Sequence, residues 1–278
     1  MKKRLLLLLL VLSPFFNYAS SLESAIAILE EETSSRIGVS VWDTQSNEWW
    51  DYRGNERFPI LGTAKVFVCA AMLDAIERNV FSKNTTVTIK PEELTTYSPY
   101  VTHWIGQPIK LTSLCEAAAL EGDNTAANVI MRELGGPQSI NTFFRSIGDK
   151  STHITQLFPT NSSLKGNSSK PNTMVMNLHN IFEGDRLNYE DREQIETWMK
   201  NTNRKKSRIT PALPENWFLA ERRGIAHDSR AELFTIWREE HSPVYVGIYI
   251  KDYDLSLQAS GQLLTQVAQL VLREYDEM

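Results

Sequence analysis

Leu61-Gly62-Thr63-Ala64-Lys65-Val66-Phe67-Val68-Cys69 is the stretch that decides how this chain folds. A strand-like segment, Arg57 to Ile60, runs into it, and apolar residues continue to Ile76. Val66, Phe67, Cys69, Ala70, Met72, Leu73 and Ile76 are too frequent for a one-sided helix, so the spacing predicts a helix buried nearly all round. A lysine in the first turn conflicts with that burial, because an unpartnered ammonium is costly to desolvate. Lys65 must therefore either snorkel to solvent or line a polar site. Gly62 lies one turn earlier on the same face. In a Ser-x-x-Lys arrangement that earlier position carries a hydroxyl nucleophile, which the lysine helps to deprotonate; here it has no side chain.

The chain begins Met1-Lys2-Lys3-Arg4, continues through the apolar run Leu5 to Leu12, and reaches small residues at Ala19, Ser20 and Ser21. A basic start, a short apolar core and small residues at the end are the parts of a cleaved signal peptide over residues 1–21. The run is too short for a stable anchor, so no membrane anchor is expected after cleavage and the mature chain should be periplasmic or secreted. Removing Lys2, Lys3 and Arg4 moves the formal net charge from −5 to −8. An acidic chain without a basic run has no footprint for nucleic acid. Roughly 255 residues remain, enough for one large domain or two closely packed lobes. Cys69 and Cys115 are the only cysteines. In an exported chain an even pair suggests one disulfide, closing a loop of roughly 45 residues and contributing about 3–4 kcal/mol, with two buried thiols as the alternative.

Periodicity separates the chain into three parts. Ser21 to Glu32 has helical spacing, Arg36 to Asp43 alternates as a strand, Thr44 to Asn47 is turn-forming, and Glu48 to Gly54 returns as a second arm. Thr63 to about Asn201 is mostly helical, punctuated at Gly122, Gly135-Gly136-Pro137, Gly148 and Gly166. Trp217 to Ala226, Arg230 to Glu239 and Val244 to Asp252 read as strands, and Leu255 to Tyr275 as a closing helix. The fold class expected is α+β, an α/β sandwich. A five-stranded antiparallel sheet is built from both chain ends with helices packed on it, and an all-helical lobe is inserted. Residues 22–60 and 210–278 form the α/β lobe in this reading, and 61–209 the helical lobe.

Three later segments bear on chemistry. Gly122-Asp123-Asn124 is a tight corner between two helical stretches, where Asn124 either caps a helix or points its amide into a cleft. In Glu221-Arg222-Arg223-Gly224 the two arginines point to opposite sheet faces, which suits a solvated edge or an anion site. Phe158 to Lys170, rich in serine and small residues, reads as a long surface loop. The five histidines, His103, His153, His179, His227 and His241, show no metal-ligand spacing, and no cofactor is expected. His227-Asp228-Ser229 holds acid, base and hydroxyl types, but three successive residues suit a turn better than a relay.

These segments, in this order, resemble the class A serine β-lactamases over nearly the whole mature chain, within the wider penicillin-binding fold. Arg57-Phe58-Pro59 leads into the Ser-x-x-Lys position at Gly62 to Lys65, Tyr97-Ser98-Pro99 resembles the cleft-rim tyrosine segment, and Gly122 to Asn128 resembles the Ser-Asp-Asn segment. Gly135-Gly136-Pro137 is similar to the next turn, and Leu213 to Gly224 to the strand carrying Lys-Ser-Gly or Lys-Thr-Gly. The resemblance also places Cys69 and Cys115 where several members carry a disulfide.

It further implies four degenerate catalytic positions. Gly62 stands for the acylated serine, Gly122 for the proton-relaying serine, Phe158 for the water-activating glutamate and Arg223 for a hydroxyl residue. Ser162 stands for the asparagine that helps hold the water, and the loop's two clamp residues fall on Gln156 and Pro171, so their ion pair is absent. Lys65, Asn124, Asp123, Tyr97 and Gly224 are retained. Acylation needs a poised nucleophile and deacylation an activated water, and Thr63, the neighbouring hydroxyl, points about 100° away on a helix. The expectation is a non-catalytic member: a binding or interaction protein whose Lys65, Tyr97, Asn124, Arg222 and Arg223 hold a small anionic, carboxylate-bearing ligand or a cell-wall fragment. A protein partner is a further expectation, and weak or non-standard β-lactam hydrolysis is the alternative.

Overall fold

The computed structural model describes residues 15–202, 207–252 and 254–276. Residues 1–14 of the expected signal segment lie outside them. Helix α1, Phe15–Thr33, runs unbroken past Ala19 and Ser21. Among the described residues no helix is long and apolar enough to cross a membrane.

The expected sheet forms from both ends of the chain. Strands β1, Arg36–Asp43, and β2, Glu48–Tyr52, join three late strands, β7 (Phe218–Ala226), β8 (Ser229–Trp237) and β9 (Val244–Lys251). Their order is β2-β1-β9-β8-β7, with every neighbour antiparallel. Side chains alternate across each strand, so Leu219, Phe234, Val246 and Ile248 pack beneath α1 and α8, Leu257–Asp276. Ala220, Leu233 and Tyr249 face the opposite way, into the helical lobe. The second hairpin arm ends at Tyr52, two residues earlier than its pattern predicts, because Arg53 turns left-handed at φ 51°.

Between β2 and β7 the chain builds the helical lobe around α2, Lys65–Glu77. Every residue from Lys65 to Ile76 is buried, as the all-round apolar pattern requires. Each large apolar side chain removed from water there contributes about 1.5–3 kcal/mol. Around α2 lie α3 (Leu111–Glu116), α4 (Asn124–Leu134), α5 (Pro137–Ser146) and α7 (Tyr189–Lys200), while α6 (Pro171–Phe182) packs on the sheet against β1 and β9. Four short strands complete the lobe: β3 (Phe58–Pro59) pairs with β6 (Ser168–Ser169), and β4 (Thr86–Thr88) with β5 (Pro108–Lys110).

Two sequence expectations need correcting here. Cys69 and Cys115 are not joined: both thiols are free and buried, and Cys69 Sγ points at the Cys115 carbonyl oxygen, 3.2 Å away, rather than bonding its sulfur. Burial, with Cys69 alongside, pushes the Cys115 thiol well above the ordinary range. The Phe158–Lys170 loop is not simply a surface loop. Phe158 is buried, and the β3–β6 pairing draws residues 166–169 inward. Pro171, where the resemblance leaves no ion pair, opens α6. The loop's neck is closed instead by Asn167, whose Oδ1 accepts from the backbone N–H of Thr155 (2.9 Å) and Gln156 (3.0 Å). Its Nδ2 donates to Gln156 O at 3.0 Å. A side-chain amide with donors and acceptors thus ties both ends of the neck without an ion pair.

Candidate functional site

Three elements converge where β7, the free edge of the sheet, meets the helical lobe. The first is the tight 3₁₀ turn Leu61–Ala64, which starts with Leu61 at φ 46° and delivers Lys65 into α2. The second is a π-helical turn, Ala117–Glu121, that ends on Gly122 in the left-handed region at φ 78°. Such turns insert an extra residue and re-aim the chain. The third is β7 itself, whose alternation sends Arg222 toward the helical lobe and Glu221 and Arg223 to the α8 side.

Lys65 does not snorkel. It is 4% exposed, and its Nζ donates to Gly122 O (2.6 Å) and Asn124 Oδ1 (2.5 Å). Asn124 is pinned in turn, with its Nδ2 donating to Thr96 O at 2.7 Å. Asp123 caps α4 by accepting from Ala126 N (2.9 Å), and its other oxygen accepts from Tyr100 N and Val101 N, both at 3.0 Å. The corner therefore combines both readings of its sequence, with Asp123 as the cap and Asn124 as a cleft residue. Tyr97 stands at the rim, 56% exposed.

Arg222 is buried. Its Nη1 donates to Ala119 O (3.1 Å), and its Nε to Gly62 O (3.3 Å), linking β7 to both turns. Burial, followed by the neighbouring Arg223, lowers its guanidinium to about 10. Burial, followed by the charge on Arg222, holds the Lys65 amine well below its ordinary range. Phe158 closes the far side, its ring 5.0 Å from Lys65 Nζ. Asn128 fixes it there: Nδ2 donates to Phe158 O (2.6 Å) and Oδ1 accepts from Phe158 N (2.7 Å). Sequence reading gave Asn128 no role, although it lies one helical turn beyond Asn124 on α4, the spacing that would have drawn attention to it.

Apart from the fully buried Asp123, the retained and the degenerate positions line one cavity of about 830 Å³, Gly62, Lys65, Tyr97, Asn124, Phe158, Arg222 and Arg223 among them. Thr63 is not part of it; its hydroxyl bonds Ile60 O inside the core. Ser162 is drawn away to Asp228, in the tight hairpin between β7 and β8, which Lys251 also grips. Both glycines are sterically committed. A Cβ on Gly62 would lie 2.6 Å from the Arg223 carbonyl oxygen, and one on Gly122 would meet the Arg222 guanidinium. Among the described residues there is no cluster of three metal-ligating side chains.

The profile of the β-lactamase enzyme family matches residues 21–275. The chain belongs to that family. Its fold is the class A β-lactamase fold: the chromosome-encoded β-lactamase of Vibrio parahaemolyticus superposes with a TM-score of 0.90 at 42% identity, covering 92% of this chain and 100% of that one. The last common ancestor of Gram-negative class A β-lactamases superposes at 0.87 with 30% identity, covering 92% and 99%. Among curated relatives, β-lactamase CARB-4 of Pseudomonas aeruginosa is 33% identical over 98% of both chains. β-Lactamase AER-1 of Aeromonas hydrophila is 34% identical over 89% of this chain and 84% of its own.

This β-lactamase-family cavity extends to the α8 side of the sheet, past Arg230 and Glu232 to Leu257 and Leu264. No sequence motif pointed there, because those residues meet only when β8 pairs with β7. Glu232 is 2% exposed, and its Oε1 has no hydrogen-bond partner among the described residues. Burial, then Glu221, push its carboxyl well above the ordinary range. The folded chain therefore keeps a proton that an unfolded glutamate loses above about 4.5. Stability from this group is complete at lower pH and is lost as pH rises through that value toward the raised one. Glu232→Gln should flatten that decline, read as a smaller difference in urea midpoint between pH 5 and pH 8. An unchanged difference would show that Glu232 does not titrate in this way.

Proposed function

We propose that this chain is an exported β-lactamase-family protein that holds a carboxylate-bearing ligand, a β-lactam or a cell-wall fragment, without serine acyl-enzyme turnover. The observation that carries the reading is the pair of glycines beside Lys65. Neither Gly62 nor Gly122 supplies a side-chain hydroxyl there, and Arg223 O and the Arg222 guanidinium take up their side-chain space. The buried Arg222 guanidinium makes this end of the cavity electropositive in a chain of net charge −5. A carboxylate is the group such a wall favours.

The second reading is β-lactam hydrolysis, weak or by another route. Its support is the family itself: CARB-4 and AER-1 are both named as β-lactamases, and CARB-4 matches this chain along almost its whole length. The relatives' names favour this second reading, while the residues of the cleft favour the first.

One experiment separates them. A chromogenic cephalosporin and radiolabelled benzylpenicillin are offered to the purified chain. Saturable binding without sustained colour change is expected, and Arg222→Ala should weaken binding at least about tenfold through loss of a charged partner. Sustained turnover would establish the second reading instead, and absence of binding would remove the first.

A further inference from the structure

Lys65 sits in an environment made for a neutral amine. Among the described residues no carboxylate lies within ion-pair distance of its Nζ, and Arg222 brings a positive charge close by. Asp123, the nearest acid felt by the amine, turns both oxygens to the backbone N–H groups of Ala126, Tyr100 and Val101. A neutral amine has two N–H donors, and two acceptors stand ready, Gly122 O and Asn124 Oδ1. Its lone pair is then left for the cavity between Gly62 and the Phe158 ring. An ammonium would carry a third N–H with only the face of the Phe158 ring, 5.0 Å from Nζ, to receive it. Lysines desolvated beside a second cation are the ones that act as nucleophiles at neutral pH.

We propose that the Lys65 amine attacks the carbonyl of a β-lactam bound in this cavity and keeps the opened ring as an amide, so that each chain captures one molecule. The proposal rests on the reading that the cavity takes a carboxylate-bearing β-lactam. In the step, the Nζ lone pair forms a bond to the lactam carbonyl carbon and the strained lactam C–N bond breaks. The electron pair stays on the departing nitrogen, which receives the proton that Nζ gives up. Nothing is oxidised or reduced. An acylated serine is an ester that water can release, whereas an N-acyl lysine is an amide with a poor leaving group. The capture is therefore single and lasting.

Its test uses the full chain and benzylpenicillin, with intact-mass measurement and peptide mapping. The expected result is one equivalent of penicillin mass added, located on Lys65, and lost in both Lys65→Ala and Lys65→Arg. The groups facing the amine are Arg222 from β7, Asp123 from the turn before α4, and Cys69 one turn on along α2. With burial and Arg222 lowering the amine, the labelling rate of Lys65 should rise less between pH 7 and pH 9 than that of an ordinary surface lysine. An ordinary surface lysine, still mostly protonated, should speed up about a hundredfold over that range. Equilibrium dialysis distinguishes the failures. Binding without an adduct overturns the capture and leaves the ligand reading standing, whereas neither binding nor adduct overturns both. Adduct spread over surface lysines, unchanged in Lys65→Arg, also overturns the capture.

Discussion

Asp123→Ala should cost about 3–5 kcal/mol of stability, through buried backbone donors left without their acceptor. Asp123 is fully buried, and its two oxygens accept three backbone N–H groups, those of Ala126, Tyr100 and Val101. Alanine leaves all three donors without an acceptor, and each such orphan costs about 1–3 kcal/mol. It also uncaps α4. The damage should spread to the site, because the segment that Asp123 holds begins just after Tyr97, and Asn124 binds Thr96 O and Tyr97 O. Asp123→Asn keeps one acceptor for the cap but turns an NH₂ toward two other donors, or the reverse, so an intermediate loss is expected. Urea denaturation of the three proteins checks this. A loss below about 1 kcal/mol for alanine would mean that water replaces the carboxylate.

Gly62→Ser is expected to yield no sustained β-lactam turnover, although it restores the hydroxyl that the family resemblance calls for. The space is taken: a Cβ at this position would lie 2.6 Å from Arg223 O and 3.3 Å from Gly224 Cα, both backbone atoms of β7. Backbone yields less readily than a side-chain tip, so the turn must move off the strand. Overpacking of this kind typically costs about 1–3 kcal/mol. A serine fitted at that cost would still face Gly122 in place of a proton relay and Phe158 in place of a water-activating acid. Members of such a unit do not act independently, and restoring one returns little of the whole. A chromogenic cephalosporin assay with urea unfolding reads both effects. Steady hydrolysis above the parent chain, with stability unchanged, would show that the site needs only its nucleophile.

Much of the fold was legible because its cues are local. Alternation marks β1 and the three late strands, and the continuous apolar pattern around Lys65 marks α2 as buried on every side. The site was legible only in part. Gly62, Lys65, Asn124, Phe158 and Arg222 were named from their places in the family pattern, and they line one cavity. Asn128 went unassigned because its contribution is to hold Phe158, a residue 30 positions away. The disulfide was misjudged because the order of two cysteines along a chain does not fix where a thiol points: Cys69 aims at a carbonyl oxygen. What closes the loop's neck went unread because Asn167 reaches the backbone of Thr155 and Gln156, 12 and 11 positions away, only in the folded chain.

By itself the sequence determined the sheet built from both chain ends, the helical insert and the absence of hydroxyls at 62 and 122. These follow from periodicity and residue identity, which every segment carries with it. Only the tertiary structure decided that Arg222 takes the space beside Gly122, that Arg223 O blocks Gly62, and that Lys65 is left between two acceptors without a counter-ion. Those features arise where β7, the π-helical turn and the first turn of α2 are packed together from distant parts of the chain, and the charge state of a buried amine depends on what that packing brings to it.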